Sequence, residues 1–218
     1  MKGSSTNAED YLKCINEYMD LQGYAALKDI ALILGTVRQT VLDEIKILMD
    51  RGLVQRKEKG KYELTKTGMK EAFKFLRKHR VAEILLWKGL GMKWSELDDQ
   101  AMGIEHGMTE EIIEKVCQNF GCIKCPHGNY VPDKNGNVKE SKDIKVSEFN
   151  SSRKIKVSRV IFESPDILKF MENNGLYPGS NLIIVDEEHI KVAPDMESIK
   201  VPDNFFRAVR FTSIEDNQ

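Results

Sequence analysis

No apolar run in this sequence approaches the roughly 20 residues that a membrane-spanning helix needs. The first ten residues are polar and contain no hydrophobic core of a secretory signal, so we expect a cytoplasmic protein. The motifs of several enzyme classes are also missing: there is no P-loop, dinucleotide-binding glycine fingerprint, nucleophile elbow or HExxH pair. We therefore expect that the protein is not an enzyme.

Histidine and cysteine are scarce, with four of each among 218 residues. Three of the histidines stand beside other potential metal ligands, which narrows the search for a site. Cysteines in a chain without a secretion signal point to a reducing compartment, where thiols are more often buried or metal-bound than paired.

Charge is balanced overall, with a net charge of -1, but it is unevenly distributed. Residues 51–80 carry eleven basic and three acidic side chains, and residues 95–115 carry seven acidic and one basic. The first block suits a polyanion and the second a cation, although both patterns also occur on ordinary solvent-exposed helices.

Residues 8–64 have the apolar spacing of three helices followed by a basic hairpin. We expect Thr36 to cap the third helix and Gly52 to end it. Its predicted buried face consists of Val37, Val41, Ile45 and Leu48. These parts are typical of a DNA-binding winged helix-turn-helix.

The remainder divides into a helical part, a polar linker and a β-rich part, so the chain is predicted to be a multidomain α+β protein. We expect a long helix over 66–87 and shorter ones over 94–106 and 109–120. Short β-branched runs then predict a small β-barrel with one helix near 165–171. The predicted domains are 1–65, 66–133, a linker at 134–152, and 153–218.

One helical face is predicted to carry Asp98, Met102, Glu105 and His106, whose thioether, carboxylate and imidazole groups can close on one borderline divalent cation. His79 and Glu83 stand one turn apart on the long helix. The alternatives are an ordinary amphipathic helix in the first case and a surface ion pair in the second.

Cysteine spacing leaves three interpretations open. Cys117, Cys122, Cys125 and His127 can form a structural zinc site. In the second interpretation, only Cys125 and His127 bind metal, and residues elsewhere in the chain supply the other ligands. In the third, the thiols are buried or free and bind no metal. Glu163 and Asp166 stand near a helix start, where carboxylates often act as caps.

The order of motifs resembles the diphtheria-toxin-repressor family of metal-dependent transcriptional regulators. The resemblance is carried by RKHRVAE at 77–83, GIEH at 103–106 and CPHGN at 125–129, between a winged helix and a small β domain. It implies a homodimer with a helical dimerisation and metal-binding domain and a C-terminal SH3-like domain.

The resemblance implies a primary, activating site formed by Asp10, Met102, Glu105 and His106. Asp10 is similar to the manganese branch, whereas the Met102 sulfur favours iron(II). Lys13 replaces a further glutamate of manganese regulators. We expect iron(II) as cofactor, with manganese(II) as the alternative and with zinc, cobalt or nickel able to substitute in vitro.

The resemblance also implies an ancillary site, in one of two versions. The iron branch uses the positions of His79, Glu83 and Asp98, with Glu163 and Asp166 as expected partners from the SH3-like domain. Manganese regulators use the positions of Glu83, Cys125 and His127 plus a C-terminal carboxylate.

The expected function is a metal(II)-activated, sequence-specific repressor that controls metal homeostasis, most simply of iron. We expect a homodimer on a pseudo-palindromic double-stranded operator. The alternatives are a manganese-responsive regulator, a constitutive DNA-binding protein with structural zinc, and a metallohydrolase using Glu105 and His106. The residues expected to face DNA are Thr36, Arg38, Gln39, Thr40 and Asp43 on the third helix and Lys57, Lys59 and Lys61 in the wing.

Overall fold

The structure, a computed structural model, describes residues 8–143 and 154–214 and forms two compact units. The first holds the described residues up to Arg77 together with Pro132–Val138, and the second holds Lys78–Val131 and the described residues from Lys139 onward. Within these ranges, no helix is long and apolar enough to cross a membrane. Of the predicted linker, 134–143 lacks helix and strand, and 144–152 lies outside the described residues.

The first unit confirms the predicted winged helix-turn-helix. A three-stranded antiparallel sheet in the order β1-β3-β2 closes it. Tyr11, Ile15, Ile30, Ile45 and Tyr62 are buried and form its core. Its elements are α1 (Ala8–Gln22), β1 (Ala25–Ala26), α2 (Leu27–Ile33), α3 (Arg38–Asp50), β2 (Val54–Glu58) and β3 (Lys61–Leu64).

The start of α3 differs from the prediction. Val37, in extended conformation, is the N-cap residue instead of Thr36. The Thr36 amide donates to the Ala31 carbonyl at 3.0 Å and so closes the turn after α2. Val37 consequently precedes the helix and is 66% exposed. The rest of the expected face, Val41, Ile45 and Leu48, is buried, and Gly52 follows α3 at a φ of 70°.

Helix α4 (Lys66–Ile84) continues into a wide turn over Leu85–Gly89, and the boundary between the units falls within α4. The second unit then places α5 (Leu97–Ile104) and α6 (Glu110–Phe120) before a β-rich part. That part consists of β4 (Lys154–Val160), α7 (Pro165–Asn173), β5 (Asn181–Ile184), β6 (His189–Lys191), β7 (Ile199–Lys200), α8 (Phe205–Ala208) and β8 (Val209–Ser213).

The β-rich part is an open antiparallel sheet in the order β7-β6-β5-β4-β8. The small β domain that was expected is therefore present, but its sheet is not closed into a barrel in the described residues, where β7 pairs with β6 and β8 with β4. One apolar core joins this sheet to the helical part, since Trp94 and Ile113 belong to the same buried cluster as Ile155 and Phe211. The two parts therefore bury their apolar side chains together.

A tight loop after α6 is held against β4. The Cys125 amide donates to the Asn129 carbonyl at 2.9 Å, and the Val160 amide donates to the His127 carbonyl at 2.9 Å. Gly128 has a φ of 90°, and a Cβ atom there would lie 2.4 Å from the Ser158 carbonyl oxygen. Glycine is thus required, because only a bare Cα permits this approach of loop and strand.

This packing predicts that Gly128→Ala lowers the free energy of unfolding by roughly 3 kcal/mol, because backbone strain adds to a clash with β4. Gly175→Ala is the matched control, since Gly175 has a φ of 66° and open space around its Cα. We expect Gly175→Ala to lower the free energy of unfolding by about 1 kcal/mol. Denaturant unfolding of the full chain measures both variants, and equal costs would contradict the close approach.

Candidate metal centre

The Glu83 carboxylate, in the last turn of α4, lies at the middle of a buried polar cluster. Its side chain has no solvent exposure. Oε1 lies 2.6 Å from His127 Nδ1 and 3.7 Å from His79 Nε2. Oε2 is buried and has no hydrogen-bond partner among the residues that the structure describes. A buried carboxylate oxygen without a hydrogen bond destabilises the folded state, and a bound cation would compensate it.

His127 presents one ring nitrogen to the cluster and the other to the backbone. Nδ1 faces Glu83 and also lies 3.0 Å from Glu163 Oε2. Nε2 lies 3.1 Å from the Trp94 carbonyl oxygen. Donation from Nε2–H to that carbonyl leaves Nδ1 as the nitrogen that faces the carboxylates. Metal-bound histidines are commonly oriented through their second nitrogen in this way.

His79 is arranged in the same manner on the neighbouring turn of α4. Its Nδ1 lies 2.5 Å from Glu105 Oε2, and its Nε2 lies 3.2 Å from Asp98 Oδ1. Both His79 and Glu105 are buried. The predicted one-turn spacing of His79 and Glu83 therefore brings both side chains into the cluster rather than to the surface.

Burial and neighbouring charges shift the pKa values of the ionisable side chains in the cluster. Burial and the Glu83 charge raise the pKa of Glu163 to about 7. Burial, followed by the charges of Glu83 and Glu163, raises the pKa of the Cys125 thiol. Burial opposes protonation of His127, but the two carboxylates outweigh it and raise its pKa well above the usual value. A cation entering the site would displace protons from the thiol and the imidazole.

Two overlapping ligand sets have metal-binding geometry. One set is Glu83, Cys125, His127 and Glu163, and the other is His79, Glu83, Asp98 and Glu163. Within each set, one ligand atom per residue lies within 4.8 Å of the others. Nitrogen, oxygen and sulfur donors together suit a borderline divalent ion such as iron(II), manganese(II) or zinc(II). The residues present thus fit a divalent metal.

The remaining predicted ligands lie outside these two ligand sets. Asp166 is exposed in the first turn of α7 and lies outside both sets. Helix α5 ends at Ile104, so Glu105 and His106 belong to a separate 3-10 turn and the expected continuous helical face is wrong. That break buries Glu105 and leaves His106 exposed, and Met102 is 45% exposed. Asp10 lies in α1 of the first unit, so its combination with these residues stays a prediction.

The pairing of the cysteines excludes one of the three interpretations of their spacing. Cys117 and Cys122 form a disulfide, with a Cα–Cα distance of 4.9 Å. A pair of bonded sulfurs offers no thiolates, so the four-ligand zinc site of Cys117, Cys122, Cys125 and His127 is wrong in this structure. The expectation of unpaired cysteines is also wrong for Cys117 and Cys122. Cys14 and Cys125 remain as buried free thiols.

The residues predicted to face DNA lie in the first unit and are mostly exposed. Gln39 donates to both Asp43 carboxylate oxygens at 3.0 and 3.1 Å, and Arg38 and Thr40 are exposed on the same helix, whereas Thr36 is half-buried in the preceding turn. In the wing, the Lys57 ammonium lies 3.2 Å from Glu63 and that of Lys61 lies 2.9 Å from Glu58. Lys59 is exposed at the tip.

Two residues of the centre escaped the sequence analysis. The Asn129 side-chain amide donates to Glu163 Oε1 at 3.0 Å and to the Val160 carbonyl at 2.7 Å, which orients the carboxylate. Trp94 supplies the carbonyl that fixes His127. The CPHGN motif includes Asn129, but no local pattern indicates partners more than 30 residues away.

The chain is similar to known proteins along most of its length. The family model described as "Iron dependent repressor, metal binding and dimerisation domain" matches residues 65–133, and a model of the RuvB C-terminal winged helix domain matches residues 2–72. The crystal structure of T. acidophilum IdeR is 43% identical, covers 97% of this chain and 100% of its own, and has a TM-score of 0.91.

Three further relatives match along different lengths of the chain. The diphtheria toxin repressor of Corynebacterium glutamicum is 24% identical over 99% of this chain and 100% of its own length. The Mycobacterium tuberculosis iron-dependent repressor IdeR is 32% identical over 57% of this chain and 54% of its own length. The crystal structure of ScaR with bound Zn2+ is 26% identical, with a TM-score of 0.80 over 96% of this chain and all of its own.

The buried thiol makes the centre testable with cobalt(II). We expect the cobalt-loaded full chain to show a sulfur-to-cobalt charge-transfer band in the near ultraviolet, because a coordinating thiol binds as the thiolate. Cys125→Ser should abolish the band, and Cys14→Ser, which changes the other buried free thiol, should leave it intact. A band that survives Cys125→Ser would contradict the assignment of that sulfur.

Proposed function

Because the chain belongs to the diphtheria-toxin-repressor family of metal-dependent transcriptional regulators, we propose that iron(II) activates it and that the centre around Glu83 is its ancillary metal site. The chain is a metal-dependent transcriptional repressor and not an enzyme. One observation carries the assignment of the centre: a buried Glu83 carboxylate, with an oxygen that lacks a hydrogen bond within the described ranges, stands among histidine, cysteine and carboxylate donors.

The activating ion is proposed to bind Asp10, Met102, Glu105 and His106. Asp10 belongs to the unit that carries α3 and the wing, and the other three belong to the second unit. Bridging by the ion would hold the recognition helices of a homodimer at a spacing that fits successive major grooves. The ion can do this only by binding the DNA-competent arrangement more tightly than other arrangements.

Iron(II) is preferred over manganese(II) because Met102 offers a thioether. Its side chain is 45% exposed rather than packed in the core, so the sulfur is accessible to an ion. Thioether sulfur is a softer ligand than the carboxylate oxygens that manganese prefers. Asp10 adds a carboxylate, which also suits manganese(II), and the Met102 sulfur shifts the preference to iron(II).

The buried contact between His79 and Glu105 gives the ancillary centre a direct link to the proposed activating site. His79 Nδ1 contacts Glu105 Oε2, while His79 Nε2 faces Asp98 and Glu83. An ion on Nε2 would fix the ring and hold Nδ1–H on Glu105. We propose that the ancillary ion thereby orients a ligand of the activating ion.

DNA recognition is proposed to use the exposed face of α3, with phosphate contacts from the wing. Arg38, Gln39 and Thr40 are exposed side chains suited to base edges or phosphates. Among the wing lysines, Lys59 at the exposed tip is the best placed for a phosphate, since Lys57 and Lys61 each contact a glutamate. A homodimer would match a pseudo-palindromic operator.

The proposal is tested by anaerobic fluorescence anisotropy with DNA from upstream of this protein's own gene, at fixed salt. We expect binding with iron(II), none with chelator, and loss of metal-dependent binding in His106→Gln, because one imidazole ligand is removed. His189→Gln, which changes a histidine paired with Asp186 elsewhere in the second unit, should bind as wild type. Binding that ignores the chelator would overturn the metal-switch proposal.

Selectivity for iron is tested by Met102→Leu, which removes the sulfur at nearly constant volume. We expect the iron(II) concentration that gives half-maximal DNA binding to rise roughly tenfold, with little change for manganese(II), since loss of a metal-site group commonly costs 10- to 100-fold in affinity. Met196→Leu is the control, because Met196 is also exposed. Equal shifts for both metals would show that the sulfur does not select iron.

A further inference from the structure

We propose that Asp143, from the segment predicted as a linker, is a positioning residue of the metal centre. It acts through Arg159 and Asn129 on the orientation of the Glu163 carboxylate. These four residues form a hydrogen-bonded series, the linker network, and all of them lie in the second unit. The inference rests on the proposed function of the centre as a metal site. Because Glu163 belongs to both ligand sets, its orientation matters whichever of them binds the ion.

Asp143 is buried within a segment whose composition is that of an exposed linker. Its side chain is 5% exposed, whereas the nearby Glu140 and Lys142 are exposed. Arg159 Nε donates to Asp143 Oδ2 at 2.6 Å, and Ser158 Oγ donates to the same oxygen at 3.3 Å. A buried carboxylate destabilises the fold unless it is paired and hydrogen-bonded, so these contacts with β4 are what allow Asp143 to be buried.

A β-bulge in β4 aims both donors at this carboxylate. The register of β4 against β8 shifts by one residue between Val157 and Arg159, which leaves Ser158 as an extra residue. Consecutive side chains of a regular strand point to opposite faces, so without the bulge only one of Ser158 and Arg159 would face the carboxylate. Bulges are common next to functional sites, where they re-aim a side chain.

Arg159 transmits the position of Asp143 to Asn129, because a guanidinium carries hydrogen-bond donors and no acceptor. Arg159 Nη1 donates to Asn129 Oδ1 at 3.3 Å. The Asn129 NH2 group then points the other way, where it donates to Glu163 Oε1 at 3.0 Å and to the Val160 carbonyl at 2.7 Å. A flipped amide would place its nitrogen against the guanidinium and its oxygen against two acceptors. Arg159 therefore selects the orientation that holds Glu163.

The two oxygens of the Glu163 carboxylate are divided between the linker network and the candidate metal position. Oε1 accepts from Asn129, and Oε2 lies 3.0 Å from His127 Nδ1, the nitrogen that also faces Glu83. Loss of a hydrogen bond behind a ligating side chain typically weakens metal binding about 10- to 100-fold. Coupling between two sites is reciprocal, so the metal and the contacts of Asp143 should stabilise one another.

The test is titration of the full chain with cobalt(II), in which the sulfur-to-cobalt band of Cys125 reports occupancy of this centre. Asp143→Ala should raise the cobalt(II) concentration at half-occupancy about tenfold and leave the band itself in place, because every ligand is retained. Asp143→Asn keeps an oxygen that can accept from Arg159 but loses the charge, and should give a smaller rise. Asp186→Ala is the matched control and should titrate as wild type, since Asp186 accepts hydrogen bonds only from its own turn among the contacts described for it.

A double-mutant comparison separates positioning from a general loss of stability. Glu163→Gln removes the carboxylate that the linker network holds, so adding Asp143→Ala to it should weaken cobalt(II) binding no further. Equal weakening with and without the Glu163 carboxylate would overturn the inference, and so would unchanged affinity in Asp143→Ala. Either result, with the band present in wild type, leaves the metal site and the proposed function standing. Absence of the band from wild type would overturn both the inference and the assignment of the centre.

Hydrogen exchange supplies a measurement that needs no substitution at Asp143. We expect saturating cobalt(II) to slow amide exchange at residues 139–143 of the wild-type chain, because coupling makes the metal strengthen the contacts of Asp143. Asn129→Ala interrupts the linker network but retains the pair of Asp143 and Arg159, and it should abolish that slowing. Slowing of equal size in Asn129→Ala, or none in wild type, would contradict the inference.

Discussion

The buried Glu83 carboxylate is the group around which the candidate metal ligands of the second unit are arranged. It lies within reach of two histidines from separate segments, and one of its oxygens has no hydrogen bond in the ranges described. A carboxylate with no solvent exposure is stable only if positive charge compensates it. The charges of Glu163 and Glu83 raise the pKa of His127 well above its usual value despite burial, which favours a protonated imidazole beside the Glu83 carboxylate. A metal ion would replace the proton with a larger charge in the same place.

Three segments of the second unit are packed around this carboxylate. Helix α4 supplies His79 and Glu83, the CPHGN loop supplies Cys125 and His127, and the segment between β4 and α7 supplies Glu163. The shared apolar core, the contact of Gly128 with β4 and the hydrogen bonds from Asn129 hold these segments together. These contacts position the ligand side chains, so less conformational entropy opposes metal binding there.

Local patterns were enough to predict much of the fold and part of the centre. Periodicity gave the winged helix, because its helices bury one face each, and the one-turn spacing of His79 and Glu83 placed both on one side of α4. The resemblance led to Glu163. Local patterns failed where a long-range or competing interaction decides the outcome: the end of α5 at Ile104, the pairing of Cys117 with Cys122, the open sheet, and the roles of Trp94 and Asn129.

The central claim is that the residues around Glu83 form a metal centre. Its most direct test is anomalous diffraction at the iron absorption edge from crystals of the full chain grown anaerobically with iron(II). The account predicts strong anomalous density within the space bounded by Glu83, Cys125, His127 and Glu163. A filled site elsewhere in the chain, with these four side chains hydrogen-bonded to one another and no anomalous density between them, would contradict it.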